Sequence, residues 1–445
     1  MTETVAVVEP RPAKKQRVHS VEFWRFAFTA FVAIYHLEIS LRGFALKLLP
    51  SGSTAVEFFF ILAGFTMAMS AKRRSDALGD TPMASREAHK LAIDFVKGKL
   101  KAIYPILIVV LVIHIFFLNP GLTTLWSKIR AFMNDEWHLT FMVGTPFGYN
   151  NGMAVRGGIA ALTPLWFLTE LILVGYIYTY LINKNYNFMA WAAPAIALLG
   201  YIMFTLFIVY EQHFDPLGFS SAYNPRPQAG YSILDFAAPM GFLNSGTVHA
   251  LAEMAMGISI FQLYDYLSKK KWRLPGKILL QAIELFALYR FFSLLFFAPL
   301  GLENFKRVLY IMVIVVLAFL NKTWLSRALN NIVSKGLGKI SLTMYLIHWP
   351  LAMVYMSFVS ALKAWAVKGM GNFDSFAIGL WNTLQDACKY DAAARSFTMT
   401  ATDVVLYLLL VLAASVAITA FIAIVRKIAV ALYGKYRSSC VVASN

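Results

Sequence analysis

The chain has 445 residues, of which 59% are hydrophobic and only 14% are charged, and its mean hydropathy is +0.62. A soluble chain of this length would form two or three domains and carry about 25% charged residues. The apolar residues here occur in long runs, which excludes a set of soluble domains and indicates one membrane domain. The net charge of +17 is spread over short clusters between these runs. Membrane insertion requires this distribution, which argues against a nucleic-acid-binding patch.

The pattern along the chain predicts a short leader, a helical membrane domain and a tail. Residues 1–20 are rich in Pro, Lys and Arg and lack the apolar segment of a signal peptide, so we expect a disordered cytoplasmic leader. Residues 21–427 form an all-α transmembrane domain of about ten helices, and residues 428–445 form a cytoplasmic tail. The ten predicted spans, each near the 17–25 residues that cross a bilayer, are 21–41, 54–71, 101–119, 162–182, 187–210, 246–267, 277–298, 305–321, 339–360 and 403–425.

Lys and Arg residues set the predicted orientation. Basic clusters such as Lys72-Arg73-Arg74 and Lys269-Lys270-Lys271 follow alternate spans, which places both termini in the cytoplasm of a multi-pass inner (plasma) membrane protein. Three long loops, 120–161, 211–245 and 361–402, then lie outside. Their aromatic residues suit either an interfacial belt or a platform for a polar substrate. Cys388 and Cys440 fall on opposite sides and lack metal-ligand spacing, so we expect neither a disulfide nor a metal.

The first span carries the strongest functional signal. Arg25 and His36 are eleven residues apart, about 16 Å and close to three turns of a helix, so they share one face. The topology places them on opposite sides of the membrane midplane. A guanidinium near the cytoplasm suits a phosphate or carboxylate, and an imidazole suits proton transfer. The alternative is an Arg25 that reaches for the headgroups and a His36 that only packs.

Other ionisable residues lie within predicted spans, where a charge is costly and therefore a functional candidate. Glu57 begins the second span at a depth similar to that of His36, so it either orients the imidazole or faces a loop. Glu170 near the outer end of the fourth span has the same two interpretations. Tyr345 and His348 are three residues apart and share a helix face. The remaining candidates are Glu38, His114, Glu253, Glu284 and Arg290.

Four sequence blocks together resemble the acyltransferase-3 family of membrane acyltransferases. The family pattern is an acidic residue, an Arg three positions later, and a His that is separated from the Arg by ten residues. Glu22, Arg25 and His36 match this pattern. The other blocks are Val56-Glu57-Phe58-Phe59-Phe60-Ile61-Leu62-Ala63-Gly64-Phe65, Pro164-Leu165-Trp166-Phe167-Leu168-Thr169-Glu170 and Ile340-Ser341-Leu342-Thr343-Met344-Tyr345-Leu346-Ile347-His348-Trp349-Pro350.

The chain departs from this family at two places. Ala63 replaces the usual Ser, which removes a hydroxyl near Glu57. The entry to the third span, 97–105, has Lys where the family has Arg, and Ala102 stands at the second Arg of its Arg-x-x-Arg pair. Because Lys cannot make the bidentate phosphate contact of Arg, the acyl-donor contacts there are put in doubt.

The resemblance implies an enzyme that moves an acyl group, usually acetyl, from cytoplasmic acyl-coenzyme A to a hydroxyl of an extracytoplasmic glycan or lipid-linked sugar. His36 is then the general base or a transient acyl carrier, Glu57 holds the imidazole, and Tyr345 or His348 stabilises the oxyanion. Trp166 and Glu170 are expected to bind the acceptor. The residues expected to bind acetyl-coenzyme A are Arg25, Lys72, Arg73, Arg74, Lys97, Lys99 and Lys101.

A transporter or flippase of a polyprenyl-linked sugar or another envelope precursor is the alternative function, because intramembrane charges also suit transport. The sequence shows no inverted repeat and no pair of helices broken by Gly or Pro. A receptor or scaffold without chemistry leaves the polar face of the first span unexplained. The acyl group, the acceptor and the oligomeric state are not determined by the sequence.

Overall fold

A computed structural model describes residues 18–40, 48–49, 52–118, 123–133, 139–140, 165–206, 239–240, 243–297, 303–367 and 401–442. The leader up to residue 17, most of the three predicted outer loops, Cys388 and the side chain of Glu38 lie outside the described residues. Within them the chain is helical, apart from an antiparallel pair of two-residue strands in which Pro239 faces Asn244. The all-α prediction is confirmed for this part of the chain.

Ten helices of 18 residues or more occur in the described ranges, and each overlaps one predicted span. Two shorter helices and the strand pair separate some of them. In chain order the elements are α1 (His19–Ser40), α2 (Ala55–Ala77), α3 (Ser85–Ile113), α4 (Leu125–Met133), α5 (Leu165–Lys184), α6 (Tyr186–Leu206), β1 (Pro239–Met240), β2 (Leu243–Asn244), α7 (Ser245–Lys269), α8 (Leu274–Phe297), α9 (Glu303–Leu320), α10 (Trp324–Ala328), α11 (Ile332–Val367) and α12 (Ala401–Val442).

Six of the described helices are long and apolar enough to cross a membrane: α2, α3 with its extension to Leu118, α5, residues 186–203 of α6, α8 and residues 401–433 of α12. The chain is therefore a multi-pass membrane protein. That all ten helices cross the bilayer, and that both termini are cytoplasmic, stay predictions.

Two helices are longer than the predicted spans. Helix α3 begins at Ser85, well before residue 101, because its polar first turns are amphipathic and bury Ala88 and Ala92. The Lys184 ammonium donates to Ser85 Oγ at 2.6 Å and ties this extension to the end of α5. Helix α12 continues to Val442, so the predicted tail is helical as far as the structure describes it.

Helix α1 packs along α11, and the two helices run in the same direction. Near their predicted cytoplasmic ends Glu22 rests on Gly338, where a Cβ would collide with the carboxylate. Further along, His36 meets His348. In the core between them and α2, the Phe28 ring stacks on Phe58 with centroids 4.1 Å apart. The Glu22–Gly338 and His36–His348 contacts therefore align α1 with α11, and the Phe28–Phe58 stack holds α1 against α2.

Candidate active site

The candidate site is built around a pair of histidines contributed by α1 and α11. The His36 Nδ1 and His348 Nε2 atoms are 2.7 Å apart, and the two rings are nearly parallel, with centroids 5.0 Å apart. His348 is fully buried and His36 is partly buried. The parallel packing of α1 and α11 thus brings together two of the residues predicted to be catalytic.

A second hydrogen bond fixes which ring nitrogen carries the proton. The His348 Nδ1 atom lies 2.6 Å from the backbone carbonyl oxygen of Tyr345, and a carbonyl can only accept, so Nδ1 is the donor. In a neutral ring Nε2 is then an acceptor, and His36 must donate to it from Nδ1. A neutral His36 therefore carries its lone pair on Nε2, the form that a general base or nucleophile requires.

Aromatic side chains surround the histidine pair. The Trp349 ring meets His36 edge-on with centroids 5.1 Å apart, and the Tyr345 ring lies 5.7 Å from that of His348. Tyr345 itself packs against Phe167, 5.5 Å away. The Tyr407 hydroxyl of α12 donates to the backbone oxygen of His348 at 2.8 Å. The imidazoles thus lie among aromatic rings, and a third helix, α12, is hydrogen-bonded to the backbone of His348.

Glu57 belongs to a different cluster from the one predicted. One of its carboxylate oxygens lies with a ring nitrogen of His249 and a carboxylate oxygen of Glu253 on α7, all three within 4.8 Å of one another. The residue that contacts His36 Nδ1 is His348, whereas orienting this imidazole is one of the two roles that the sequence suggests for Glu57. His249 Nδ1 is in turn 2.7 Å from Glu253 Oε1.

The predicted acceptor-binding residues lie at the first turns of α5. Glu170 is fully buried and accepts a hydrogen bond from Thr247 Oγ1 at 2.9 Å. The Trp166 ring lies 6.1 Å from that of Phe60. Phe167, which follows Trp166 in the chain, packs on Tyr345. This end of α5 therefore lies next to the aromatic cage around the histidines.

At the opposite end of α1, Arg25 and Lys99 form a cationic pair. Arg25 Nη1 is 2.7 Å from Glu22 Oε2, and its side chain remains 35% exposed. Lys99 of α3 is close enough to Arg25 for the two charges to repel each other, and its ammonium lies 5.3 Å from the Phe95 ring centre. Glu22 offsets one of these two positive charges, so the pair retains a net charge that suits an anion.

The other predicted donor-binding residues differ in availability. Lys72 is 2.6 Å from Asp76 Oδ1, and Arg74 Nε donates to Asn183 Oδ1 at 2.6 Å. Arg73 is exposed and its Nη2 lies 3.2 Å from Met69 Sδ. Lys97 and Lys101 are exposed on α3. The structure thus brings Lys99 to Arg25 and engages Lys72 and Arg74 with acidic or amide partners.

The sequence-based search missed His249 and Arg307. Both lie within three or four residues of the start of a predicted span. A polar residue at that position is easily interpreted as one that lies at the membrane–water interface. Both are nevertheless buried, at 2% and 0% exposure. The i, i+4 spacing of His249 and Glu253 within an apolar segment was the signal that could have identified the first of them.

The fold and the site together define a helical membrane protein in which two packed helices hold an imidazole ready to accept a proton. The chain belongs to the acyltransferase domain family Acyl_transf_3, whose sequence model matches residues 18–423. Membership of that family makes it a membrane acyltransferase. No curated protein and no solved structure matches the chain significantly.

Proposed function

We propose that this acyltransferase moves an acetyl group from cytoplasmic acetyl-coenzyme A to a hydroxyl of an extracytoplasmic glycan or lipid-linked sugar. The observation that carries the proposal is the hydrogen-bond chain from His36 through His348 to the Tyr345 carbonyl. It prepares His36 Nε2 to accept a proton from an alcohol, which is the requirement of ester formation. The family match to an acyltransferase supplies the reaction class.

The proposed step is a single acyl transfer. His36 Nε2 takes the proton of the acceptor hydroxyl as its oxygen attacks the thioester carbonyl carbon. The carbon–sulfur bond then breaks, and the coenzyme A thiolate leaves and receives the proton from His36. His348 acts as a positioning residue, because both of its ring nitrogens are committed to holding His36 and the Tyr345 carbonyl. The Tyr345 hydroxyl is our candidate for stabilising the oxyanion.

The donor is proposed to bind from the end of α1 that carries Arg25. A guanidinium and an ammonium side by side suit the phosphates of coenzyme A, and Lys99 supplies the second charge. Arg25 and His36 lie on one continuous helix, about 16 Å apart along its axis. An extended pantetheine arm spans a comparable distance, so phosphates at Arg25 place the thioester near His36.

The acceptor is proposed to approach from the opposite end of the bundle. Trp166 and Glu170 occupy the first turns of α5 beside the aromatic cage. An aromatic face and a carboxylate are the groups that stack on a sugar ring and accept hydrogen bonds from its hydroxyls. Under this arrangement the acetyl group crosses the bilayer core while the donor and the acceptor remain on their own sides.

A matched pair of histidine variants tests the proposal. Proteoliposomes that contain the full chain are given [14C]acetyl-coenzyme A and an envelope extract of the source cells, and alkali-labile acetyl ester is counted. We expect His36→Gln to lower the rate by about 10²–10⁴-fold, the usual contribution of a general base. His114→Gln, which changes a buried histidine just after the end of α3, should retain the rate. Wild-type activity in His36→Gln would overturn the assignment.

A binding measurement separates this function from a flippase. Acetyl-coenzyme A should raise the melting temperature of the detergent-solubilised protein, because a ligand that binds only the native state stabilises it. A flippase of lipid-linked sugar should not respond. Absence of both the thermal shift and acetyl-ester formation would count against the acyltransferase assignment.

A further inference from the structure

A second polar cluster, separate from the histidine pair, lies between α2, α6, α7 and α9. Glu57, His249 and Glu253 are only 2%, 2% and 0% exposed, and their potential ligand atoms lie within 4.8 Å of one another. Arg307 and Tyr201 lie within electrostatic reach of Glu57. Two carboxylates and an imidazole thus converge in the interior of a membrane domain, where isolated charges are costly.

Glycines bring the two helices that carry these residues into contact. A Cβ at Gly64 of α2 would collide with the backbone oxygen of Met254 on α7, and one at Gly257 would collide with that of Ile61. The helices therefore touch backbone to backbone. They run in the same direction, because Glu57 lies with His249 before this contact and Phe65 meets Phe261 after it. This register sets Glu57, two turns before Gly64, level with the first turns of α7. The convergence is therefore a product of the helix packing.

The hydrogen bonds of the described residues do not account for the two carboxylates. His249 Nδ1 engages Glu253 Oε1 at 2.7 Å. Neither Glu57 Oε2 nor Glu253 Oε2 has a hydrogen-bond partner among the residues that the structure describes, although both atoms are buried. A buried carboxylate oxygen without a partner costs free energy. Two such carboxylates that converge on one imidazole indicate a site for a positively charged ligand.

We propose that Glu57, His249 and Glu253 bind a divalent transition-metal ion that accepts both nitrogen and oxygen ligands, with Zn²⁺ as the probe. An imidazole beside carboxylates favours such an ion over Mg²⁺ or Ca²⁺, which prefer oxygen ligands alone. Two ionised carboxylates would offset the double positive charge of the ion, and Arg307 adds a further positive charge near Glu57. Zinc bonds of about 2.0–2.2 Å place tetrahedral ligand atoms about 3–4 Å apart, so the described side chains close inward when the ion binds.

The ion would join α2 to α7. The sequence predicts no metal, because its ligands come from two distant segments and have none of the usual local spacings. Its three residues are not part of the hydrogen-bond chain of His36, so metal binding can be measured separately from acyl transfer.

Metal content tests the proposal without any activity measurement. The full chain is purified in detergent, treated with a chelator, loaded with Zn²⁺, desalted and analysed by mass spectrometry for bound metal. We expect about one ion per chain in the wild type and a loss of most of it in Glu57→Gln and Glu253→Gln. Glu284→Gln serves as the control, because Glu284 is equally buried but binds Ser326 Oγ at 2.7 Å outside the cluster.

Thermal melting provides the second measurement. Added Zn²⁺ should raise the melting temperature of the chelator-treated wild type and of Glu284→Gln, and leave that of Glu57→Gln unchanged. Equal metal content in the wild type and Glu57→Gln would overturn the proposal. The proposal would also be overturned if the wild type neither retained Zn²⁺ nor melted at a higher temperature in its presence. The two carboxyl groups would then be neutralised by protons and not by a metal ion. A variant that does not fold is recognised by its melting curve, and the wild-type titration then decides.

Discussion

A single substitution can isolate the positioning role that we propose for His348. His348→Phe keeps an aromatic ring in the buried space but removes the Nε2 atom that accepts the 2.7 Å hydrogen bond from His36. The His36 ring then loses the contact that sets its orientation and its tautomer. His348→Gln is the matched variant, because its amide oxygen offers an acceptor in place of the lost nitrogen.

The expected loss is bounded from both sides. A hydrogen bond contributes about 0.5–1.5 kcal/mol, so its removal alone lowers the rate by about 2- to 10-fold. Complete loss of the base would cost about 10²–10⁴-fold. His348→Phe still contains His36, so we expect a decrease in kcat of about 10- to 100-fold between these limits. The KM for acetyl-coenzyme A should not change, because the cationic pair lies about three turns away along α1.

The assay is the initial rate of acetyl-ester formation in proteoliposomes at varied acetyl-coenzyme A. The decisive comparison is the double variant with His36→Gln, which should be no slower than His36→Gln alone, because residues that act as a unit are not additive. Partial recovery in His348→Gln would agree with the positioning role. Fully additive losses, or an undiminished kcat in His348→Phe, would refute the reasoning.

Three further variants test other parts of the structure. Arg25→Ala should weaken acetyl-coenzyme A binding by about 10-fold, the value of one charge-assisted contact, in a calorimetric titration where the exposed Lys335→Ala is unchanged. Equal affinities would remove Arg25 from the donor site. Gly64→Ala should destabilise by about 1–3 kcal/mol through overpacking, seen as a lower melting temperature. Gly98→Ala, with nothing within 4 Å of its new Cβ, should not destabilise, and equal melting would refute the close packing. Tyr407→Phe removes a hydrogen bond to the His348 backbone and should cost about 1 kcal/mol of stability, an effect that an unchanged melting curve would contradict.

Hydropathy was sufficient to locate the helices, because a bilayer demands long apolar segments. Hydropathy did not locate the start of α3, where residues are buried by protein contacts and not by lipid. The polar first turns of α3 from Ser85 are helical, and they bury Ala88 and Ala92 on one face. No scan for apolar runs can detect such a segment.

The candidate site was predictable only in part. The spacing of Arg25 and His36 identified α1, because helix geometry alone relates them. The pairing of His36 with His348 joins residues 312 positions apart. A single sequence does not specify how two distant helices align, so it does not predict this pair. For the same reason the sequence offers only His36 or a loop as surroundings for Glu57, whereas the glycine contact of α2 with α7 brings it to His249.

The two contacts of α1 with α11 have a consequence for donor selection. Glu22 against Gly338 and His36 against His348 hold α1 at two points, so this helix cannot slide along its neighbour without breaking one of them. The distance between the proposed phosphate anchor and the proposed base is set by the continuous helix that carries both, and the two contacts keep that helix in place beside His348. A truncated thioester donor would carry the correct reacting group yet reach only one end of it. Discrimination among donors would then depend on the length of a helix segment as well as on the shape of a pocket.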